Sequence, residues 1–276
     1  MRALRLGAVV VTSAVLVAAL AACGSSGKSD AGTDPKSAAD AIAGQVADLD
    51  PKAALAASAL VMQKAGNGSI SVVTPEDTGT GAADWRQKLA VDLSGQGSGG
   101  TKARVVGDDL YLGGGPATAA LGGKHWARTD PKDPLLGPTA GVFLTTAQMV
   151  NPVLQLTVAA QAGKPTKVGP ETVDGVQTTH FHAVEDAAKL VEGLGALSAD
   201  QRAAVQKTLA EDGKTLTVDL WINAKQELVQ LKEYGDKGGE KSTVTVKYSG
   251  LGAAPKIEAP AASDVGKAAD LAKLFN

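Results

Sequence analysis

Aromatic residues and cysteines are scarce in this chain. Among its 276 residues there are three Phe, three Trp, three Tyr and one cysteine. A single cysteine cannot form an intrachain disulfide, and so few aromatic rings mean that the core must be built from Val, Leu, Ile and Ala. The length suffices for one large domain with its own hydrophobic core, which is the organisation we expect.

The chain also lacks an excess of positive charge and the common catalytic motifs. Its formal net charge is −2, and it has no basic patch, so no nucleic-acid partner is expected. We find no nucleophile elbow, no His-Glu-x-x-His pair and no Ser-x-x-Lys with its partner motifs. Gly27-Lys28-Ser29 resembles the end of a phosphate-binding loop, but Ala22 stands where that loop needs glycine. We therefore expect neither an enzyme nor a cofactor.

The first 22 residues have the layout of an export signal. Arg2 and Arg5 make the start positive, and the apolar run Leu6–Ala19 follows. That run is shorter than the roughly 20 apolar residues that span a bilayer. Small residues then precede Cys23, a pattern that resembles the lipobox of bacterial lipoproteins, in which the thiol receives a diacylglycerol and the peptide is cut before the cysteine. Cleavage there would remove both arginines and leave a net charge of −4.

Cys23 is therefore the predicted lipid attachment site. The alternative is an ordinary secretory signal with which Cys23 is discarded, but a lone cysteine in an exported protein would otherwise be a free thiol. Two acyl chains anchor stably where one chain binds only marginally. We expect residues 1–22 to be a signal peptide, 23–39 the lipidated cysteine and a flexible tether, and 40–276 one domain at the outer face of the cell membrane.

Hydrophobic periodicity predicts an antiparallel α+β domain. A helix should begin after the N-cap Asp50 and end at Gly66, and Ser198 with Gln201 forms a capping box for a later helix that ends at Gly213. Gly107-Asp108 favours a two-residue hairpin. Strands are predicted in hairpin order, with helices inserted twice: Ser69–Thr74, Asp84–Ser94, Lys102–Val106, Asp109–Leu112, His125–Thr129, Thr178–Val184, Leu216–Ile222, Leu228–Tyr234 and Lys241–Tyr248.

Two further segments differ in character. A helix is predicted over Pro152–Gln161, where Val153, Leu156 and Ala160 share a stripe. The C-terminal segment Ala253–Asn276 is rich in Ala, Pro and Lys. We expect that segment to pack only in part.

The order of these parts resembles that of the LppX/LprAFG-type lipoproteins of actinobacteria, whose fold is similar to the LolA/LolB lipoprotein carriers. The likeness extends over roughly Ala39–Gly252. It is most evident in Gly169–Phe181 and in Val218–Asn223, which reads Val-Asp-Leu-Trp-Ile-Asn. Asn223 stands where aspartate is usual in that superfamily. Each motif is short and structural.

The resemblance implies a strongly curved antiparallel sheet, a half-open LolA-like barrel, wrapped around a few helices. An apolar cavity between sheet and helices would hold the acyl chains of a glycolipid or phospholipid. The candidate lining residues are Leu89, Val91, Leu93, Leu110, Leu112, Val218 and Leu220. The alternative for each is ordinary core packing. The alternative for the whole protein is a non-enzymatic protein-binding or regulatory lipoprotein of the envelope without a ligand cavity.

His180 and His182 are the remaining candidate chemistry. They lie two apart on a predicted strand and therefore share a face, the minimal geometry for two metal ligands. The sequence supplies no third ligand nearby, and His125 is the only other histidine. We therefore expect no metal site.

Overall fold

A computed structural model describes residues 49–272, except residues 98, 99, 131, 134 and 196. The signal peptide, Cys23 and the tether, all predicted from the sequence, lie outside the described residues. The described helices are α1 (Pro51–Ala65), α2 (Ala117–Ala120), α3 (Gly137–Met149), α4 (Pro152–Gln161), α5 (Ala187–Glu192), α6 (Ala199–Asp212) and α7 (Ala268–Ala272). The described strands are β1 (Asn67–Val73), β2 (Thr78–Asp84), β3 (Ala90–Gly95), β4 (Thr101–Val106), β5 (Asp109–Gly114), β6 (Trp126–Thr129), β7 (Thr166–Val173), β8 (Val176–Asp186), β9 (Thr215–Asn223), β10 (Leu228–Gly235), β11 (Val244–Ser249) and β12 (Val265–Gly266).

The strands form one sheet in the order β12-β6-β5-β4-β3-β2-β1-β11-β10-β9-β8-β7. Neighbouring strands are antiparallel, apart from the parallel pair β12 and β6. Strands β1 and β11 pair in the middle and join the first half of the chain to the second. The α+β class is confirmed. Since β12 and β7 are the two ends of an open sheet, the half-open barrel remains a prediction.

Helix ends follow the capping residues that the sequence shows. Asp50 accepts hydrogen bonds from the backbone N–H groups of Lys52 and Ala53, at 3.0 and 3.2 Å. Gly66 ends α1 at φ 75°, a left-handed conformation that favours glycine. The capping box of Ser198 and Gln201 opens α6 as predicted.

The Asp50→Ala variant is expected to lose about 1 kcal/mol of the free energy of unfolding, because two backbone donors lose their acceptor. Urea unfolding followed by circular dichroism measures this. Asp50→Asn keeps a side-chain oxygen and should stay within a few tenths of a kcal/mol of the wild-type protein. An equal loss in both variants would show that the charge of Asp50, rather than its cap, stabilises the helix.

The predicted strand Asp84–Ser94 is wrong in its first half, where the chain turns, and its second half lies in β3. Strand β2 ends at Asp84 and β3 begins at Ala90. Between them, the backbone N–H of Trp85 donates to the carbonyl of Gly66 at 2.8 Å, and its indole Nε1 donates to the carbonyl of Met62 at 2.6 Å. These bonds hold the tryptophan against the end of α1, so residues 85–89 leave the sheet.

Three strands were missed. Strands β2 and β7 lack apolar alternation, and β12 has only two residues. Strand β2 reads Thr-Gly-Thr-Gly-Ala-Ala-Asp, and a Cβ at Gly81 would lie 1.8 Å from the carbonyl oxygen of Asp92, so β2 can approach β3 only with glycine there. Strand β7 is an edge strand with a mostly exposed face. Pro170 is tolerated in it because an edge strand has one side free of ladder hydrogen bonds.

The described part of the C-terminal segment packs only in part, as predicted, since Leu271 and Ala272 are its only buried residues. Residues 253–261 have no regular structure, but Arg104 Nη1 donates to the carbonyl of Glu258 at 3.2 Å. The backbone N–H of His125 then donates to Asp264 at 3.0 Å, and β12 joins the sheet beside β6. Contacts distant in sequence therefore hold the described part of this segment against the sheet.

One hydrophobic cluster joins the inner face of the sheet to the helices. Helices α3 and α4 contribute the fully buried Leu144 and Leu156 to it. Among the described residues, no single helix is long and apolar enough to cross a membrane. Helices α3 and α4 have the required length and apolarity only when taken together, and this pair bends by 73°.

Candidate functional site

The predicted lining residues lie together on the inner side of the sheet. Leu89 is partly buried and packs against the hydrophobic cluster. The other six are buried members of that cluster: Val91, Leu93, Leu110, Leu112, Val218 and Leu220. They come from strands far apart in the chain, and the sheet brings them to one side. That they line a cavity remains a prediction.

Leu89 also lines a narrow cleft of about 110 Å³ at the edge of this interior. Trp85 from the same loop, Leu154 from α4, and Leu194 and Leu197 between α5 and α6 contribute apolar walls. The cleft thus lies where the β2–β3 loop meets the helices.

The interior also contains two acidic side chains that the sequence analysis missed. Glu185 on β8 and Glu233 on β10 are each 1% exposed. Glu185 pairs with Leu216 of β9, and Glu233 pairs with Val218 of the same strand. Both carboxyl groups therefore flank the inward-facing residues of β9. The signal was present, since Glu185 follows the inward-facing Phe181 and Ala183 at a spacing of two.

Neither carboxyl group has a hydrogen-bond partner within the described part of the chain. The same holds for both amide atoms of Gln155 on α4 and for the hydroxyl of Ser58 on α1, and both of these side chains are fully buried. An unsatisfied buried polar group costs roughly 1–3 kcal/mol. Part of the interior is therefore polar, although aliphatic side chains in the same positions would avoid this cost.

Burial dominates the protonation of these acids. It raises the pKa of Glu233 to about 8, and the negative charge of Asp212 acts in the same direction. The nearby amide of Gln155 lowers that pKa, although its contact falls outside hydrogen-bond geometry. Burial, and then the charge of Glu233, raises the pKa of Glu185 to about 8. At neutral pH both groups are therefore mainly carboxylic acids, which donate as well as accept hydrogen bonds.

The two predicted strand histidines lie on the outer face of the sheet. Asp219 Oδ1 is 2.8 Å from His180 Nε2 and 2.9 Å from His182 Nδ1. His180 Nδ1 is 2.9 Å from Glu171 of the edge strand, and its ring stacks on Trp221 with centroids 4.4 Å apart. Across residues 49–272, as far as they are described, no three His, Cys, Asp or Glu side chains could hold a metal ion.

The side chains of Glu171, His180, His182, Asp219 and Trp221 form a polar cluster that connects the edge strand β7 to its neighbours. The indole Nε1 of Trp221 donates to Glu171 at 2.7 Å. That bond, followed by the contact with His180, lowers the pKa of Glu171. The geometry is that of a polar cross-strand network which holds β7 to β8 and β9.

A larger cleft of about 770 Å³ lies on the outer face, between the sheet and the C-terminal segment. Its sheet side contains Asp92, Lys102, Arg104 and Trp126. Arg104 pairs with Asp92 and lies over the Trp126 ring, 4.6 Å from its centroid. Since its basic and acidic groups largely pair with each other, this cleft has no single charge preference.

No family model matches the chain. A curated protein of Streptomyces griseus, described as an uncharacterized 31.2 kDa protein in the rplA-rplJ intergenic region, is 37% identical over 172 residues. The match covers 61% of this chain and 56% of that protein, so the chain spans about half the length of this relative.

Similar solved structures include mycobacterial lipoproteins. LprF of Mycobacterium bovis is 15% identical with a TM-score of 0.46, over 77% of this chain and 100% of that one. LppX of Mycobacterium tuberculosis is 14% identical with a TM-score of 0.45, over 75% and 99%. A LolA superfamily protein of Nitrosomonas europaea is 11% identical with a TM-score of 0.25, over 74% and 96%. These structures include LppX-type and LolA-like proteins, the groups that the sequence resembles.

Proposed function

We propose that this protein is an exported lipoprotein, anchored through Cys23 at the outer face of the cell membrane, that binds the acyl chains of a lipid between its sheet and its helices. The observation that carries this proposal is the continuous aliphatic interior under one face of the sheet. The export signal, the cysteine after it and the sequence resemblance to LppX-type lipoproteins support it further.

An aliphatic interior suits a chain-shaped ligand. Its strands contribute Val and Leu, and α3 contributes small residues such as Ala140, Gly141 and Ala147. Small side chains let a helix shift without leaving bulky groups unpacked. An acyl chain that fills the space left by such a shift gains roughly 25 cal/mol of binding free energy for each Å² of apolar surface removed from water.

Helix α6 is the element best suited to move as a lid. Only Gln201, Val205 and Leu209 of its 14 residues are buried, so displacement exposes little apolar surface. A cleft of about 490 Å³ is lined by residues of both α6 and α3. In the first turn of α6, Gln201 Nε2 donates to the carbonyl of Asp108 in the β4–β5 turn at 2.8 Å. This bond fixes one end of the helix.

Native mass spectrometry of the chain that begins at Gly24, purified from bacteria, tests lipid binding. We expect adducts of lipid mass that organic extraction removes. The inward-facing Val218→Phe change should reduce these adducts because it fills the interior, whereas Val184→Phe, at a 44% exposed position of β8, should leave them unchanged. A clean ligand-free mass for the unmodified chain would contradict the proposal and favour a protein-binding lipoprotein.

A further inference from the structure

Three buried polar side chains interrupt the aliphatic interior. Glu185 and Glu233 flank β9 on its inner face, and Gln155 on α4 lies close enough to Glu233 to affect its protonation. Each of the three side chains is at most 1% exposed, and their terminal oxygens and nitrogens lack a protein partner among the described residues. An acyl chain offers these groups nothing, because it has neither donors nor acceptors.

The three side chains together offer both donors and acceptors. A protonated carboxyl has one O–H donor and acceptor oxygens, and a carboxamide has two N–H donors and one acceptor oxygen. Hydroxyl and amide groups of a ligand complement such a set. A phosphate does not complement it. The negative carboxylate of Asp212 acts on Glu233 and would repel a phosphate bound there.

We propose that the lipid carries uncharged hydroxyl or amide groups on the part that enters the interior, and that Gln155, Glu185 and Glu233 bind these groups. This inference rests on the proposed lipid-binding function and narrows its ligand to a neutral, hydroxyl- or amide-bearing lipid. The glycerol of a monoacylglycerol is the simplest group of this kind. Anionic headgroups would remain outside the interior.

Photocrosslinking in membranes that contain the full-length protein tests this inference. Two probes of equal chain length carry a diazirine on the chain: a monoacylglycerol and an unsubstituted alkane. Peptide mapping should find the monoacylglycerol on β9 and β10 with about tenfold higher yield than the alkane, the preference expected from one or two net hydrogen bonds. Replacing both acids, in Glu185→Leu/Glu233→Leu, should abolish that preference while alkane labelling persists.

Conservative variants separate binding from structure. Glu185→Gln/Glu233→Gln keeps donors and acceptors and should retain the preference for the monoacylglycerol. Gln155→Leu should reduce that preference. This single variant replaces the double leucine variant in the test if the latter does not fold. Equal labelling by both probes, or a preference that survives both leucine variants, would overturn the inference and leave acyl-chain binding intact. If neither probe labels inner-face peptides, the proposed function itself fails.

Discussion

The Glu233→Gln protein is expected to be more stable than the wild-type protein at pH 8, by at most about 4 kcal/mol, and equally stable near pH 4.5. Burial raises the pKa of Glu233 from its ordinary value of 4.5 to about 8 in the folded protein. Between these values the unfolded chain has released a proton that the folded chain retains. The wild-type protein therefore loses stability as the pH rises through this window, and glutamine removes that loss.

Urea unfolding at a series of pH values measures the difference between the two proteins. It should grow from pH 4.5 towards pH 8 and level off above, where the folded protein also ionises. Glu185→Gln should change stability in the same direction, because burial also raises its pKa to about 8. Glu240→Gln, at an exposed site, should shift the free energy of unfolding by less than about 0.5 kcal/mol at every pH. A difference independent of pH would contradict a buried, titrating Glu233.

The Cys23→Ser protein is expected to incorporate no fatty acid, whereas the wild-type protein should be labelled by an alkynyl fatty acid supplied to growing cells. The thiol is the nucleophile that would receive the diacylglycerol, and serine lacks it. Each buried CH₂ of the two chains contributes about 0.8 kcal/mol to membrane binding. Mass spectrometry of the N-terminal peptide should show cleavage before residue 23 and the lipid mass in the wild-type protein only.

Two variants control this experiment. Ser25→Ala changes the neighbouring tether and should leave labelling unchanged. Cys23→Ser combined with Ser26→Cys restores a thiol three positions along, where Ser-Gly-Ser instead of Leu-Ala-Ala precedes it, and should remain unlabelled. Labelling of Cys23→Ser, or its absence in the wild-type protein, would contradict lipid anchoring at this cysteine.

The acids of the interior connect stability with the proposed ligand. A core of this size gains nothing in folding from carboxyl groups without partners, and leucine at Glu185 or Glu233 would remove the cost of burying them. Residues that reduce stability persist where function requires them. A ligand that hydrogen-bonds to these groups would recover part of the cost, which is why stability and ligand preference should change together in their variants.

Local signals account for the elements that were predicted correctly. Helix α1 begins after Asp50 with Pro51 and ends at Gly66, and α6 begins with the capping box of Ser198 and Gln201. Both could be predicted because capping depends on residues within one or two turns. The Gly107-Asp108 hairpin joins β4 to β5 as predicted, with Val106 paired to Asp109. Most one-faced strands were likewise visible as alternating apolar residues.

The candidate site was predicted only in its aliphatic part. Alternation identified Val218 and Leu220 as inward-facing, and the structure places both in the core. Glu185 continues the same alternation, but it lies just beyond the predicted strand Thr178–Val184 and was therefore not assigned to the interior. Only the pairing of β8 and β10 with β9 shows that Glu185 and Glu233 lie on either side of β9 in the interior.

The sequence by itself determined the ends of α1, α4 and α6, the hairpin, most of the one-faced strands and the α+β class, because each depends on residues that are close along the chain. The tertiary structure decided the pairing of β1 with β11, the inclusion of β2 and β7, and the path of residues 253–261 across the sheet. It also decided which polar side chains became buried. These features depend on backbone hydrogen bonds and close approaches between segments distant in sequence, and neither leaves a periodic pattern of side chains.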